Sequence, residues 1–281
     1  MHDQLKDDSS IFGAIYKFKP PASHNNLSTD GCPCYVIAFR GTIIEPIKSI
    51  KLKSLIQDLK LDFDIIRNIL HLNSRFEIAM QAVNKMVDTV GSSNVWLAGH
   101  SLGSAMALLA GKTMAKTGVF LESFLFNPPF PSALIEGIKH EKVKHGIRIV
   151  SNTSTALLAL AMKKKSGDPY LALAEWAPCL FVNPADHICS GYVGYFKHKK
   201  KMVGFGVLGD TERLATQHSL RGLCKSAISG KESEDLEPMH RIPSANLTVN
   251  STLSRDCIQA HGIHQWWSPY LQLESILYKY N

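Results

Sequence analysis

The chain has 281 residues, of which 45% are hydrophobic and 20% charged, and its formal net charge is +7. These values are ordinary for a globular protein and argue against an intrinsically disordered chain. No window contains the roughly 18 consecutive apolar residues of a membrane-spanning helix, and the polar first eight residues are not followed by the apolar stretch of a secretory signal. We therefore expect one domain over residues 1–281, in an intracellular and most simply cytoplasmic protein.

The charge and the cysteines say little about partners. The one dense basic cluster, Lys197–Lys201, is compatible with peripheral contact to acidic lipid head groups, but such a cluster is more often a solvated loop, which is the interpretation we favour. A net charge of this size is weak support for nucleic-acid binding, and we expect none. The six cysteines are sparse and predict reduced thiols. The pair Cys32 and Cys34 lacks a second ligand pair at zinc-site spacing, so no metal is expected.

The first half of the chain alternates strand and helix patterns. Tyr35–Phe39 is a continuous apolar run that predicts a buried strand. Residues 75–90 carry apolar side chains every three or four positions and predict an amphipathic helix that stops at Gly91. A second apolar strand is predicted over 94–98, and the Ala-, Leu- and Met-rich segment 102–116 predicts a helix directly after it.

The second half continues the alternation with two interruptions. Further strands are predicted over 121–126 and 179–183, each closed by proline. The segment near 139–175 predicts a helical insertion, and the Ser-, Glu- and Lys-rich segment near 225–243 predicts a flexible loop. Strands separated by helices pair in parallel through crossover connections, so the predicted fold class is α/β, with a mostly parallel sheet covered by helices on both faces.

A nucleophilic serine is predicted in the pentapeptide Gly99-His100-Ser101-Leu102-Gly103. The Gly-x-Ser-x-Gly pattern alone is common, but here it lies between a predicted strand and a predicted helix, as a nucleophile elbow requires. Its glycines permit the tight turn that exposes the Ser101 hydroxyl. The sequence therefore predicts a hydrolase that uses Ser101.

Two backbone amides are candidates for stabilising a developing oxyanion. The Leu102 N–H opens the helix after Ser101, where backbone amides and the helix dipole favour negative charge. The Thr42 N–H follows Arg40-Gly41 at the end of the first buried strand, and the glycine there allows the chain to turn toward Ser101. We predict that Leu102 and Thr42 form the oxyanion hole.

These features resemble the class 3 lipases, the branch of the α/β hydrolases similar to fungal triacylglycerol lipases. The resemblance is carried by Tyr35–Thr42, by the elbow Gly99–Gly103 and by Phe126-Asn127-Pro128-Pro129, which resembles the strand end of plant members. The segments Asn183–Tyr192 and Ala260–Trp267 are similar to plant lipase-like proteins of that class, so the resemblance runs nearly end to end. It implies an α/β-hydrolase fold and a catalytic triad in the chain order Ser, Asp, His.

The catalytic acid in that order is predicted to be Asp186. It lies just past the predicted strand 179–183, and catalytic groups gather at the carboxyl ends of parallel strands. Asp168 is the nearest rival, but it lies in Gly167-Asp168-Pro169, where turn chemistry alone explains an aspartate.

For the general base the sequence offers His261 and, three residues later, His264. Their spacing leaves the choice open, because both would share a helix face but only one would reach Ser101 from a loop. We choose His261 because Ile258-Gln259-Ala260-His261 resembles the family segment that carries the catalytic histidine, and we retain His264 as the alternative. His100 is expected to support packing, and His187 is disfavoured because it adjoins Asp186.

The predicted function is hydrolysis of acyl esters, and of lipids in particular, through an acyl-enzyme and without a cofactor or metal. Two departures from the family concern substrate preference: Asp58-Leu59 stands where class 3 lipases carry Asp-Trp, and His71–Phe76 replaces a His-Gly-Gly-Phe-like stretch. The alternatives are a catalytically silent scaffold and an acyltransferase or thioesterase with the same triad.

Overall fold

The computed structural model of the chain describes residues 3–6, 11–19, 31–41, 74–130, 170–202 and 240–280. Within these ranges eight strands form one sheet, and their order in the sheet is their order in the sequence. The strands are β1 (Asp3–Lys6), β2 (Ile11–Lys17), β3 (Tyr35–Phe39), β4 (Val95–His100), β5 (Glu122–Phe126), β6 (Cys179–Val182), β7 (Ala245–Asn250) and β8 (Leu273–Tyr278).

The centre of the sheet is parallel and its two sides are antiparallel. Strands β3 to β7 pair in parallel, whereas β1 pairs antiparallel to β2, β2 to β3, and β7 to β8. The four strands predicted from the sequence are β3 to β6, with ends that differ by no more than one residue for three of them and two for the fourth. The predicted α/β class is confirmed.

The helices are α1 (Ser74–Val90), α2 (Leu102–Lys116), α3 (Gly191–Met202) and α4 (Cys257–His261), with 3-10 turns at Ser92–Asn94, Leu171–Leu173 and Ile263–Trp267. The predicted helix over 102–116 has the observed bounds of α2, and the predicted helix over 75–90 begins one residue earlier in the structure. In α1 the buried positions Ala79, Val83 and Met86 are spaced by three or four residues, so they form one stripe along the helix.

One face of the sheet packs under α2. Along β4 the buried residues alternate, with Val95, Leu97 and Gly99 buried and the residues between them only half-buried. Helix α2 contacts β3, β4 and β5, and most of its length is buried because its small and apolar side chains are shared with the sheet. This packing fixes the position of the residue that joins β4 to α2.

The other face of the sheet carries a row of aromatic side chains. The rings of Trp96 and Phe124 lie 4.7 Å apart between centroids, and those of Phe126 and Phe181 lie 4.6 Å apart. Trp266, from the last 3-10 turn, packs against both Phe126 and Phe181. Helical elements therefore contact both faces, and the C-terminal segment is anchored over the carboxyl ends of β5 and β6.

The prediction of a solvated loop at Lys197–Lys201 is wrong, because this segment lies within α3. Tyr192, Tyr195 and Phe196, just before it, are buried and lie three and four residues apart on one side of the helix. The Phe196 ring stacks on the Tyr278 ring of β8 at 4.9 Å, which holds the helix against the sheet. His198 is buried, and the Lys199 ammonium donates a hydrogen bond to the Pro243 carbonyl.

The two predicted interruptions fall mostly outside the described residues. Of the expected helical insertion near 139–175, the structure describes 170–175, which contain the 3-10 turn Leu171–Leu173. Of the expected loop near 225–243, it describes 240–243. Both expectations remain predictions for the rest of these segments.

Candidate active site

Ser101 occupies a sharp turn between β4, which ends at His100, and α2, which begins at Leu102. Its backbone φ of 55° and ψ of −124° lie in a region that residues with a side chain rarely adopt. Such strain persists only where the surroundings over-determine it. Here the Ser101 N–H donates to the Phe126 carbonyl at 3.0 Å, so the neighbouring strand holds the turn.

The two glycines of the pentapeptide are required because backbone segments approach each other closely at both positions. A Cβ atom on Gly99 would lie 2.3 Å from the Gly103 carbonyl carbon, and one on Gly103 would lie 2.2 Å from the Phe39 carbonyl oxygen. Any side chain at these positions would force β3, β4 and α2 apart. The Gly-x-Ser-x-Gly pattern is therefore a packing requirement of this turn.

The structure brings together the three residues predicted for the triad. The Ser101 Oγ lies 3.0 Å from the His261 Nε2, and the His261 Nδ1 lies 2.8 Å from the Asp186 Oδ2. Ser101 and Asp186 come from the carboxyl ends of β4 and β6, and His261 is the last residue of α4, between β7 and β8. A carboxylate only accepts hydrogen bonds, so the Nδ1 proton points to Asp186 and Nε2 faces the serine hydroxyl.

The other two candidates for the base, His264 and His187, are both exposed, whereas His261 is buried. His264 is exposed, and its ring packs against the Trp267 ring at 6.1 Å. His187 is exposed although its neighbour Asp186 is buried. The rival carboxylate Asp168 lies outside the described residues.

Asp186 is 1% exposed and is held by several donors. Burial alone would raise the pKa of its carboxyl group. The hydrogen bond and the charge of His261, together with hydrogen bonds from Cys189 and Asn127, more than offset the burial and lower the pKa below its ordinary value. The backbone N–H of Ile188 donates to the second oxygen, Oδ1, at 2.9 Å. The carboxylate is therefore ionised and fixed in orientation.

Cys189 is a buried thiol whose Sγ lies 3.1 Å from the Asp186 Oδ2. Burial raises the pKa of this thiol well above its ordinary value, and the nearby Asp186 charge raises it further. A neutral thiol donates its proton, so Cys189 supports the carboxylate without adding a second negative charge.

His100, inside the pentapeptide, contacts the segment that carries His261. Its Nε2 lies 2.7 Å from the His261 carbonyl oxygen, and the two imidazole rings lie 5.0 Å apart between centroids. Burial lowers the pKa of His100, so the neutral ring is favoured and its Nε2–H donates to that carbonyl. His100 thus links the elbow to the histidine segment, in agreement with the supporting role expected for it.

Of the two predicted oxyanion donors, the structure describes Leu102. Leu102 is the first residue of α2, and the first N–H groups of a helix have no partner within the helix. Thr42 lies outside the described residues. Gly41, just before it, is described: a Cβ there would lie 2.7 Å from the His100 carbonyl oxygen, so the chain leaving β3 passes directly against the elbow.

The sequence did not predict a network of buried and half-buried amide side chains around Asp186 and His261. Asn127, at the end of β5, donates through Nδ2 to the Asp186 Oδ2 at 2.7 Å and to the Ala260 carbonyl at 3.0 Å. Gln265 also donates to the Ala260 carbonyl, and its Oε1 accepts from Asn183 at 2.7 Å. The available signal was a polar residue directly after each of two buried strands, Asn127 after β5 and Asn183 after β6.

Within the described ranges, no three His, Cys, Asp or Glu side chains are grouped so as to hold a metal ion. In the same part of the chain, every helix is either too short or too polar to cross a membrane.

The strand order, the parallel centre and the strand–Ser101–helix turn define an α/β-hydrolase fold. The family model described as Lipase (class 3) matches residues 36–130, which contain β3 from its second residue, the elbow and the whole of β5. A protein of Arabidopsis thaliana named GDSL esterase/lipase is 50% identical over an alignment of 287 residues, gaps included. The alignment covers 97% of this chain and 78% of that protein. No solved structure matches the chain.

The chain belongs to the class 3 lipases. The predicted plant class 3 lipase-like family is therefore confirmed, and membership places the chain among lipase/esterase hydrolases that act on lipid or ester substrates. A Gly-Asp-Ser-Leu tetrapeptide does not occur in this sequence, in which Ser101 stands in Gly99-His100-Ser101-Leu102.

Proposed function

We propose that this chain is a serine carboxylester hydrolase in which Ser101, His261 and Asp186 form a catalytic triad acting on acyl esters of lipids. The observation that carries the proposal is the continuous pair of hydrogen bonds from the Ser101 Oγ through the His261 imidazole to the Asp186 carboxylate, 3.0 Å and 2.8 Å long. A serine hydroxyl needs such a base to become a nucleophile at neutral pH, and the base needs an acid to set its tautomer.

In the first half of the proposed reaction, the His261 Nε2 takes the hydroxyl proton as the Ser101 Oγ attacks the ester carbonyl carbon. The negative charge that develops on the carbonyl oxygen is stabilised by the Leu102 N–H at the start of α2, with Thr42 assigned from the sequence as the second donor. His261 then returns its proton to the leaving alcohol, and the acyl group remains on Ser101.

In the second half, water replaces the alcohol. His261 takes a proton from the water as its oxygen attacks the acyl carbon, and the proton passes to the Ser101 Oγ when the carboxylic acid is released. Throughout, Asp186 stays ionised and stabilises the imidazolium, which its lowered pKa favours. The acyl carbon exchanges one C–O bond for another in each half of the cycle, first to Ser101 and then to water. Its oxidation state does not change, so the cycle needs no redox partner.

The test is reaction with a fluorophosphonate probe together with hydrolysis of p-nitrophenyl esters of graded chain length. We expect wild-type protein to be labelled and active, and Ser101→Ala to be unlabelled with kcat lower by about 10³-fold or more. The chain-length series defines the preferred acyl group. An added alcohol or thiol separates hydrolysis from acyl transfer by the products that form.

A matched control is Ser123→Ala. The Ser123 hydroxyl donates to the Leu121 carbonyl at the amino end of β5, whereas Ser101 lies at the carboxyl end of β4, so this variant should keep wild-type labelling. A folded wild-type protein that neither reacts with the probe nor cleaves any ester in the series would disprove the proposal and favour a catalytically silent binding protein.

A further inference from the structure

Asn127 contacts both the acid and the base segment, yet the reaction described above gives it no role. It is 0% exposed and follows the last residue of β5. Its Nδ2 lies 2.7 Å from the Asp186 Oδ2 and 3.0 Å from the carbonyl oxygen of Ala260, the residue before His261. One amino group therefore joins two segments that are separated by more than seventy residues in the sequence.

The orientation of the Asn127 carboxamide is fixed by its partners. Asp186 and the Ala260 carbonyl only accept hydrogen bonds, so the amino end of the carboxamide must face them. At the other end, Oδ1 accepts from the Trp266 Nε1–H at 2.8 Å, and an indole nitrogen only donates. The carboxamide cannot flip without losing all three hydrogen bonds.

The backbone of Asn127 is held as firmly as its side chain. Its φ of 48° is in the left-handed region, which asparagine tolerates better than most residues with a side chain. Its N–H donates to the Phe181 carbonyl in β6 at 2.8 Å. Strand β6 leads directly to Asp186, so backbone and side chain of Asn127 both tie β5 to the segment that carries the acid.

We infer that Asn127 is a positioning residue that couples the catalytic acid to the base segment, holding the Asp186 carboxylate and the backbone before His261 at the separation at which the imidazole faces Ser101. This inference rests on the proposed triad. Because Asn127 is fully buried, it acts through Asp186 and His261 and does not reach the substrate. Its loss should therefore lower kcat and leave KM nearly unchanged.

The most informative variant is Asn127→Asp, which keeps the size of the side chain and replaces the donor by an acceptor. Two carboxyl groups 2.7 Å apart cannot both ionise easily, so the pair retains one proton at moderate pH. That proton is able to bridge residues 127 and 186. When it is lost at higher pH, the two charges repel and the acid moves away from His261.

We expect Asn127→Asp to lower kcat at neutral pH by roughly 10- to 100-fold, as small misplacements of catalytic groups do. Its kcat should fall further with rising pH over a range in which wild-type kcat is level. A residue that matters only for stability would not give this new limb of the pH profile. The matched control is Asn94→Asp: the Asn94 Nδ2 donates to the Val90 carbonyl at the end of α1, and this variant should keep the wild-type profile.

A second variant, Asn127→Gly, removes the carboxamide while permitting the positive φ, so the fold is under no new backbone strain. We expect a kcat loss of the same order with an unchanged KM and a level profile at high pH. Thermal unfolding confirms that each variant is folded. If Asn127→Asp does not fold, the kcat and KM of Asn127→Gly alone test the inference.

The inference is overturned if either folded variant has kcat within about threefold of wild type, or if Asn127→Asp has a wild-type pH profile. Failure of the proposed function has a different signature, because wild-type protein would then be inert toward the fluorophosphonate and the p-nitrophenyl esters.

Discussion

The elbow around Ser101 and the acid–base region around Asp186 and His261 meet within 3.0 Å but are built in different ways. The elbow is made by backbone contacts, since Gly99 and Gly103 allow three elements to approach more closely than any side chain permits. The acid–base region is made by buried side chains that hydrogen-bond across distant segments. Substitutions of the elbow glycines should therefore disturb stability and activity together, whereas those around Asp186 should disturb activity first.

The sharpest test of this comparison is Asp186→Asn, for which we expect a larger loss of kcat than for substitutions of Gly103 or His100. An amide in place of the carboxylate is able to donate to the His261 Nδ1, which leaves the ring proton on Nε2 and removes the acceptor for the Ser101 proton. By analogy with triads in general, kcat should fall by about 10³- to 10⁴-fold. The unfolding temperature should fall moderately, because the new amide group faces the Asn127 Nδ2 donor and this hydrogen bond is lost.

The control for Asp186→Asn is Asp256→Asn. Asp256 caps α4 by accepting from the Gln259 N–H at 2.8 Å, and asparagine serves as well as aspartate at that position. This variant should have wild-type kcat on a p-nitrophenyl ester. If Asp186→Asn retained kcat within tenfold of wild type, Asp186 would not be the catalytic acid.

The elbow should respond differently to Gly103→Ala. The added methyl group would lie 2.2 Å from the Phe39 carbonyl oxygen, which is backbone and cannot rotate away. We expect a loss of about 3 kcal/mol in the free energy of unfolding, measured with denaturant, and a parallel loss of kcat. Gly118→Ala is the comparison, because no atom lies within 4 Å of its Cβ and only its positive φ costs stability, about 1 kcal/mol, with kcat unchanged.

The smallest expected effect concerns His100, which joins the two regions. Burial lowers its pKa in the folded state, so on acidification the unfolded chain binds a proton before the folded chain does. The resulting stability is present above the ordinary histidine pKa of about 6.5 and is lost as the pH falls below it. In His100→Gln this part of the pH dependence of the free energy of unfolding should disappear.

The exposed His187 provides the control for that measurement, since His187→Gln removes a histidine that is not buried. Both variants are measured over the same pH range. An equal loss of pH dependence in both would contradict a special role for the His100 environment.

The predicted part of the fold is the part whose pattern is local. Strands β3 to β6 are apolar runs, and α2 is a run of strong helix formers, so composition places their ends to within two residues. Strands β1, β2, β7 and β8 were not predicted. β7, Ala245–Asn250, begins and ends among polar residues, so its composition does not show the apolar pattern of a strand. It is a strand because it pairs with β6 and β8.

The same distinction applies to the site. Ser101 was found because the close approach at Gly99 and Gly103 leaves a pentapeptide in the sequence. The role of Asn127 depends on contacts with three residues that are distant in the sequence, so no sequence motif around Asn127 indicates it. The spacing of His261 and His264 did not decide which of them is the base. His261 was chosen because its segment resembles that of the class 3 lipases.

The sequential order of the strands has a consequence for synthesis. His261 is translated 160 residues after Ser101, roughly 8 to 30 s later at about 5–20 residues per second. During that interval a nascent chain contains the elbow sequence but not the imidazole that would take the serine proton. Under the proposed mechanism, an incomplete chain on the ribosome therefore carries an ordinary, unreactive serine, and esterolytic activity begins only when the strands on both sides of His261 have joined the sheet.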